Sequence, residues 1–138
     1  MRQSLREKRL QDVLRYIDLH LSDPNLCTAA IAGACGIAPR YLSELLKQND
    51  TPFSEYVWDK RVQAASRWLV STAAAEISIA EIAFRVGFKS PAHFSRMFKR
   101  MFAMGPREYR QAQRHLAARL RLVQEMPQRI GVADQADA

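Results

Sequence analysis

Ser78-Ile-Ala-Glu-Ile-Ala-Phe-Arg-Val-Gly87, followed by Phe88-Lys-Ser-Pro-Ala-His-Phe-Ser-Arg-Met-Phe-Lys-Arg-Met-Phe102, decides the fold. Ser78 and Glu81 form a capping box: the serine oxygen accepts an otherwise unpaired N–H at a helix start, and the glutamate reaches back to the cap. A helix is expected from Ile79 to Val86, and Gly87 supplies a turn in a backbone conformation that side chains resist. Ser90 then caps a second helix with Pro91 at its first position, where a missing N–H is tolerated. Phe94, Met97, Phe98, Met101 and Phe102 recur at helical spacing and mark its core face. The stretch reads as helix, turn, helix.

The same pattern occurs earlier in the chain. Ile31-Ala-Gly-Ala-Cys-Gly36 matches Ile82-Ala-Phe-Arg-Val-Gly87 at an offset of 51, and Tyr41-Leu-Ser43 matches His93-Phe-Ser95 at 52, so the second turn is one residue longer. Phe53 and Tyr56 stand opposite Pro106 and Tyr109 at an offset of 53. Around this repeat the remaining elements fall into place. Leu5, Leu10, Val13, Leu14, Ile17 and Leu21 line an amphipathic first helix that Asp23-Pro24-Asn25 ends. Thr28 caps a short apolar helix to Ala34, and Pro39 opens the next, giving a first helix-turn-helix unit over 28–48. Asn49-Asp50-Thr51-Pro52 breaks the chain, and Phe53, Val57, Val62, Ala65 and Leu69 mark one face of a linking helix over 53–70. The second unit occupies 78–102. Gly105-Pro106 starts a closing helix over 106–120, and 122–138 has too little to bury and is expected to be a flexible tail. The expected fold is all-α, with about seven helices in one domain over 5–121: two helix-turn-helix units joined by a long linking helix.

That geometry points to duplex DNA. The second helix of such a unit is held out as a rod about 10 to 12 Å across, which fits the major groove. A linking helix over 53–70 spans roughly 27 Å, comparable with the DNA repeat of about 34 Å. Charge agrees with an anionic partner. The chain carries 21 Lys and Arg against 14 Asp and Glu, a net +7, and the excess is concentrated. Residues 1–76 hold ten basic and nine acidic groups, 77–121 ten and two, and 122–138 one and three, so net charges are +1, +8 and −2.

Other chemistries lack their residues. Cys27 and Cys35 stand eight apart, which fits neither a redox pair nor a zinc half-site, and His20, His93 and His115 are scattered, so no metal or cofactor is expected. An enzyme is not expected: an alkyl-group acceptor would need a base-supported cysteine, and Cys35 reads as packing. No apolar run approaches the roughly 18 to 20 residues of a membrane span, and Met1-Arg-Gln-Ser-Leu-Arg lacks a signal-peptide core, so no membrane association and a cytoplasmic, nucleoid-associated location are expected. A helical adaptor for an acidic protein is the competing class, and preference for a defined two-box duplex separates the two.

Ile79 to Phe102, followed by Gly105-Pro-Arg-Glu-Tyr-Arg110, resembles the C-terminal signature of the DNA-binding domain of AraC/XylS-type transcription regulators. The resemblance extends over roughly Leu10 to Leu120. In the first unit Arg40-Tyr-Leu-Ser-Glu-Leu-Leu-Lys47 is similar to the family's first recognition helix, and Tyr56 with Arg61, Ala65 and Leu69 to its linking helix. The resemblance implies seven helices, binding to double-stranded promoter DNA upstream of bacterial promoters, activation, and contact with RNA polymerase. It also implies a separate effector or dimerisation domain, for which too little precedes Leu5. The chain departs from the pattern at Asp50 and Ala103, where glycine is usual, and at Ala38, where a capping serine is common. Glu44 stands where a base-reading arginine is frequent.

The base-facing candidates are Arg40, Ser43 and Glu44 in the first unit and Ala92, His93, Ser95 and Arg96 in the second, the resemblance placing base contacts at Ala92, His93 and Arg96. Arg96 reading guanine is the sharpest expectation, against a merely solvated side chain. His93 either donates to DNA or packs half-buried. Glu44 either accepts from cytosine N4, pairs internally with Arg40 or weakens the first unit. Lys47, Lys89, Ser90, Lys99, Arg100 and Arg107 are expected at phosphates, which position the protein without reading sequence. Trp58 and Trp68 are expected as partial core.

Overall fold

The computed structural model describes residues 2–47 and 52–137, which hold seven α-helices, one 3-10 turn and no strand. In chain order these are α1 (Arg2–Leu19), α2 (Thr28–Cys35), α3 (Pro39–Lys47), α4 (Phe53–Val70), the 3-10 turn Thr72–Ala74, α5 (Ile79–Arg85), α6 (Pro91–Phe102) and α7 (Pro106–Asp137). The all-α class and the linking helix follow the sequence reading.

The internal repeat is a repeat of structure. Ile31 and Ala32 in α2, and Ile82 and Ala83 in α5, are buried at 0–2% exposure, small and branched side chains that let a second helix approach closely. Each short helix then ends on a glycine with positive φ, 66° at Gly36 and 107° at Gly87. The residue after it turns its N–H back to the alanine carbonyl, Ile37 to Ala32 and Phe88 to Ala83, at 3.0 Å in both. This 6→1 bond satisfies a carbonyl that the helix end would leave open.

Two separate cores flank α4. The first gathers Val13, Ile17, Ile31, Ala32, Leu42, Leu45 and Leu46 on Val57. The second gathers Ile82, Ala83, Val86, Phe88, Phe94 and Phe98 on Val62, Ala65 and Leu69. Met97, Met101 and Phe102 flank this second core together with Trp58 and Trp68, and Tyr109 of α7 closes an aromatic stack on Phe98 and Phe102 with ring centroids 5.2 and 4.9 Å apart. Between the cores lies Arg61, only 7% exposed. Its Nε donates to the Leu21 carbonyl and its Nη2 to the Asp23 carbonyl, both at 2.8 Å. Burial works against its charge, with the Asp23 carboxylate in compensation. A Cβ on Gly87 would lie 2.6 Å from both Arg61 Nε and the Leu21 oxygen, so the second unit's turn sits directly on the loop after α1.

Some local expectations change. Thr28 is the first residue of α2, and Cys27 holds the cap position in extended backbone without a side-chain bond. At α5 the Ser78 oxygen accepts from the Glu81 N–H, but the Glu81 carboxylate turns forward to Arg85 at 3.0 Å instead of back to the cap. Leu5 is exposed, because α1 meets its partners only from Leu10 onward. The α7 backbone does not stop near Leu120; it stays helical to Asp137. Arg121-Leu-Val-Gln-Glu125 carries it one turn past Leu120 without a glycine or proline, although Pro127 and Gly131 follow, and Leu116, Leu120, Leu122 and Val123 are left exposed. Asp50 and the end of the first unit at Gln48 lie outside the described residues.

The two remaining departures have structural consequences. Ala103 ends α6 at φ 60°, a left-handed conformation in which its Cβ crowds the backbone. Ala103→Gly should raise stability by about 1 kcal/mol, read as a higher urea midpoint at unchanged slope. Ala38 precedes Pro39 as Ser90 precedes Pro91, where the Ser90 oxygen accepts from the His93 N–H at 3.3 Å. Ala38→Ser should recreate that cap on α3 and add about 0.5 to 1 kcal/mol in the same measurement.

Candidate nucleic-acid interface

The helices α3 and α6 are built alike. Leu42, Leu45 and Leu46 bury the inner face of α3, and Phe94 and Phe98 that of α6. With one face committed to a core, the residues between must face outward. Arg40, Ser43, Glu44 and Lys47 are exposed on α3, and Ala92, Arg96, Lys99 and Arg100 on α6. At the repeat offset of 52, Arg40 stands where Ala92 does, Ser43 where Ser95 does, Glu44 where Arg96 does and Lys47 where Lys99 does. The two helices thus present one layout with opposite charge at one matched position.

Within the basic segment the structure divides the cations into committed and available groups. Arg85 pairs with Glu81 and lies over the Trp68 ring at 5.3 Å. Arg110 and Arg114 donate to backbone carbonyls. Arg100, expected at a phosphate, reaches across to Glu55 of α4 at 3.1 Å. Lys89, Arg96, Lys99 and Arg107 are exposed and make no ion pair or side-chain hydrogen bond among the described residues. Arg40 and Lys47 are likewise exposed and uncommitted, and Glu44 does not pair with Arg40.

His93 and the serines are less open. The His93 ring meets Trp58 and Phe88 edge to face, with centroids 5.0 and 5.4 Å away, so it is half-buried as Tyr41 is at the matched position. Burial, then the Arg96 and Arg61 charges, push its imidazole below its ordinary range, which favours the neutral ring. The Ser90 oxygen is occupied by its cap. Ser43 donates to the Pro39 carbonyl at 3.2 Å, and Ser95 is half-buried.

Sequence reading missed Arg61 and Arg110 as structural side chains and Glu55 as the partner of Arg100. Backbone carbonyl acceptors leave no mark in a sequence, and Glu55 and Arg100 are 45 positions apart. No cluster of His, Cys, Asp and Glu suited to a metal ion occurs among the described residues. Burial, with the Asp12 carboxylate second, pushes the Cys35 thiol up, away from a reactive thiolate. No helix is long and apolar enough to cross a membrane among the described residues.

Residues 31–112 match a family model described as a helix-turn-helix domain. The transcriptional activator NphR of Rhodococcus sp is 31% identical over 105 residues, covering 76% of this chain and 30% of that protein. The arabinose operon regulatory protein of Escherichia coli K12 is 32% identical over 106 residues, covering 75% and 35%. The chain therefore spans about a third of the length of these curated relatives. Among solved structures, the C-terminal domain of AraT, a response regulator from Geobacillus stearothermophilus, superposes with a TM-score of 0.69 at 31% identity, covering 75% of this chain and 84% of that one. With the duplicated unit, the linking helix and these relatives in agreement, the chain belongs to the AraC/XylS-type family of transcription regulators, whose DNA-binding helix-turn-helix domain it carries.

Proposed function

We propose that the chain binds double-stranded promoter DNA sequence-specifically by inserting α3 and α6 into successive major-groove segments. The observation that carries this reading is the matched pair of second helices, each with its apolar face buried and its polar face exposed. Arg96 is the principal base reader, donating to guanine O6 and N7 from the exposed face of α6. Ala92 and Ser95 set the shape beside it, and Arg40, Ser43 and Glu44 take the same role on α3. Glu44 accepts from a cytosine N4, a pairing that makes the first box selective in a different way from the second. Half-buried His93 orients the start of α6 and offers a ring nitrogen to a base edge. Lys47, Lys89, Lys99 and Arg107 hold phosphates, with the backbone N–H groups near Ser90 at the start of α6. Arg100 serves phosphate only by leaving Glu55.

In the cell this is the reading head of a bacterial regulator, acting in the cytoplasm at the nucleoid. By the example of NphR, named an activator, the reading extends to activation through contact with RNA polymerase. An effector or dimerisation domain is a further partner in this reading.

Selection of bound duplexes from a randomised pool of about 30 base pairs at near-physiological salt tests this directly. Two enriched boxes about one helical turn apart are expected. A single box would reduce α3 to a positioning element, and no enriched sequence would leave only charge attraction, as an adaptor for acidic proteins would show. On the selected site, Arg96→Ala should weaken binding by about 1 to 3 kcal/mol and relax preference at one base pair. Lys99→Ala should weaken all sequences alike and lower the salt slope by about one ion, more than Lys47→Ala does, because net charge is concentrated in the second unit. A larger slope loss from Lys47→Ala would contradict that division.

A further inference from the structure

Among the described residues the two cores share no buried residue, and α4 and the seam where the loop after α1 touches the turn of the second unit join them. Helix α4 gives Val57 to one core and Val62, Ala65 and Leu69 to the other. Arg61 lies between these positions, one turn beyond Val57, and faces the seam. Its two 2.8 Å bonds hold the Leu21 and Asp23 carbonyls of the first half, while its guanidinium covers Gly87 of the second. Among the described residues the Leu21 oxygen accepts from no other donor, so this carbonyl depends on Arg61. A planar side chain with donors at both Nε and Nη2 fixes an angle as well as a distance, which a single ammonium cannot do.

We propose that Arg61 is the joint that sets the orientation of the first helix-turn-helix unit relative to the second, and so the spacing of the two boxes on DNA. It is a positioning residue: its side chain is buried and its Nε and Nη2 are taken by backbone carbonyls, so it reads no base. A straight helix alone leaves bending and rocking of the first unit open, because that unit rests on α4 through little more than Phe53, Tyr56 and Val57. With the joint closed, both recognition helices form one rigid ruler. With it open, each unit still folds on its own core and still finds its own box. The spacing part of this proposal rests on the two-box reading above; the orientation part does not.

The experiment uses the full chain as wild type, Arg61→Met and Arg61→Lys, each first shown folded by a thermal melt. Binding is measured to the selected duplex, to versions with the boxes moved by one or two base pairs, and to each box alone. One base pair displaces a box by about 3.4 Å and turns it by about a tenth of a revolution, so wild type should lose at least about tenfold per step. Arg61→Met should bind the best duplex about tenfold more weakly, vary less than about threefold across spacings, and match wild type on single boxes. Arg61→Lys should fall between, since it retains the charge and donors but loses the rigid planar fork. A uniform loss in Arg61→Met, with the wild-type spacing profile kept or single-box binding lost as well, would overturn the proposal. If Arg61→Met does not fold, Arg61→Lys carries the same comparison.

Residual dipolar couplings of the proteins without DNA separate this test from the two-box reading. One alignment tensor should describe both units of wild type, and two should be needed for the variants. If wild type prefers no second box, the two-box reading fails while the tensors still decide the joint; a single tensor in the variants would overturn it.

Discussion

Gly87→Ala is expected to cost more than about 3 kcal/mol and to move the urea midpoint close to the start of the titration. Two penalties combine. The backbone holds φ at 107°, a region that an L side chain rarely enters, and the new Cβ would lie 2.6 Å from both the Leu21 carbonyl oxygen and Arg61 Nε. The oxygen belongs to the main chain and cannot rotate away, so the loop after α1 must shift and take its Arg61 bond with it. Trimming Arg61 as well should therefore not rescue the variant. Gly36 is the control, because it occupies the matched turn at φ 66° with nothing within 4 Å of its missing Cβ. Gly36→Ala should cost only the conformational term, about 1 to 2 kcal/mol. Equal losses at the two glycines would mean that the crowding at Gly87 is relieved cheaply, contrary to the geometry.

Arg110→Met should cost about 2 to 4 kcal/mol, the second large effect. Arg110 of α7 donates from Nη1 to Ile77 at 2.8 Å and from Nε and Nη2 to Leu69 and Ala74, each at 3.2 Å. Leu69 lies in the last turn of α4, where carbonyls have no partner within the helix, and Ala74 and Ile77 belong to the chain that leads to α5. One side chain thus closes the end of the linking helix and ties its exit to α7. Methionine keeps much of the stem and removes all three bonds, and water can reach only part of what is left. Chemical denaturation of Arg110→Met beside Arg114→Ala measures the difference, since Arg114 makes one exposed bond to the Ala75 carbonyl at 3.2 Å. The latter should stay within about 0.5 kcal/mol of wild type.

The arginines also show where sequence reading succeeds and where it stops. Periodicity located the helices because each buries one face. It identified Phe94 and Phe98 as core, and the bounds 53–70 of the linking helix match the structure. The repeat survived comparison because Ala32 and Ala83 must be small and Gly36 and Gly87 must turn left-handed, constraints that act on residue type directly. Ser90 was legible as a cap for the same reason. Arg61 and Arg110 carry no such signature: their acceptors are carbonyls that every residue possesses, brought close by tertiary folding. By spacing alone Arg100 resembled Lys99, and only the crossing of α4 and α6 gives it Glu55. For the base-facing set, the sequence located the outward positions, and the structure reduces the openness of His93 and Ser95 while leaving Arg40, Glu44 and Arg96 exposed.

The division into two cores also bears on how the molecule opens. Cooperativity requires that losing one part remove contacts from the other, and here the shared contacts are α4 and a seam made largely of carbonyls, a guanidinium and a glycine. Each half is thus a unit that can open below the free energy of global unfolding. The first, with its aliphatic core on Val57, should open first, because the second also has the aromatic stack from Phe88 through Phe94, Phe98 and Tyr109. Native-state exchange should accordingly sort the amides of α2 and α3 into a faster class than those of α5 and α6. Two cores joined through one helix should thus come apart as two.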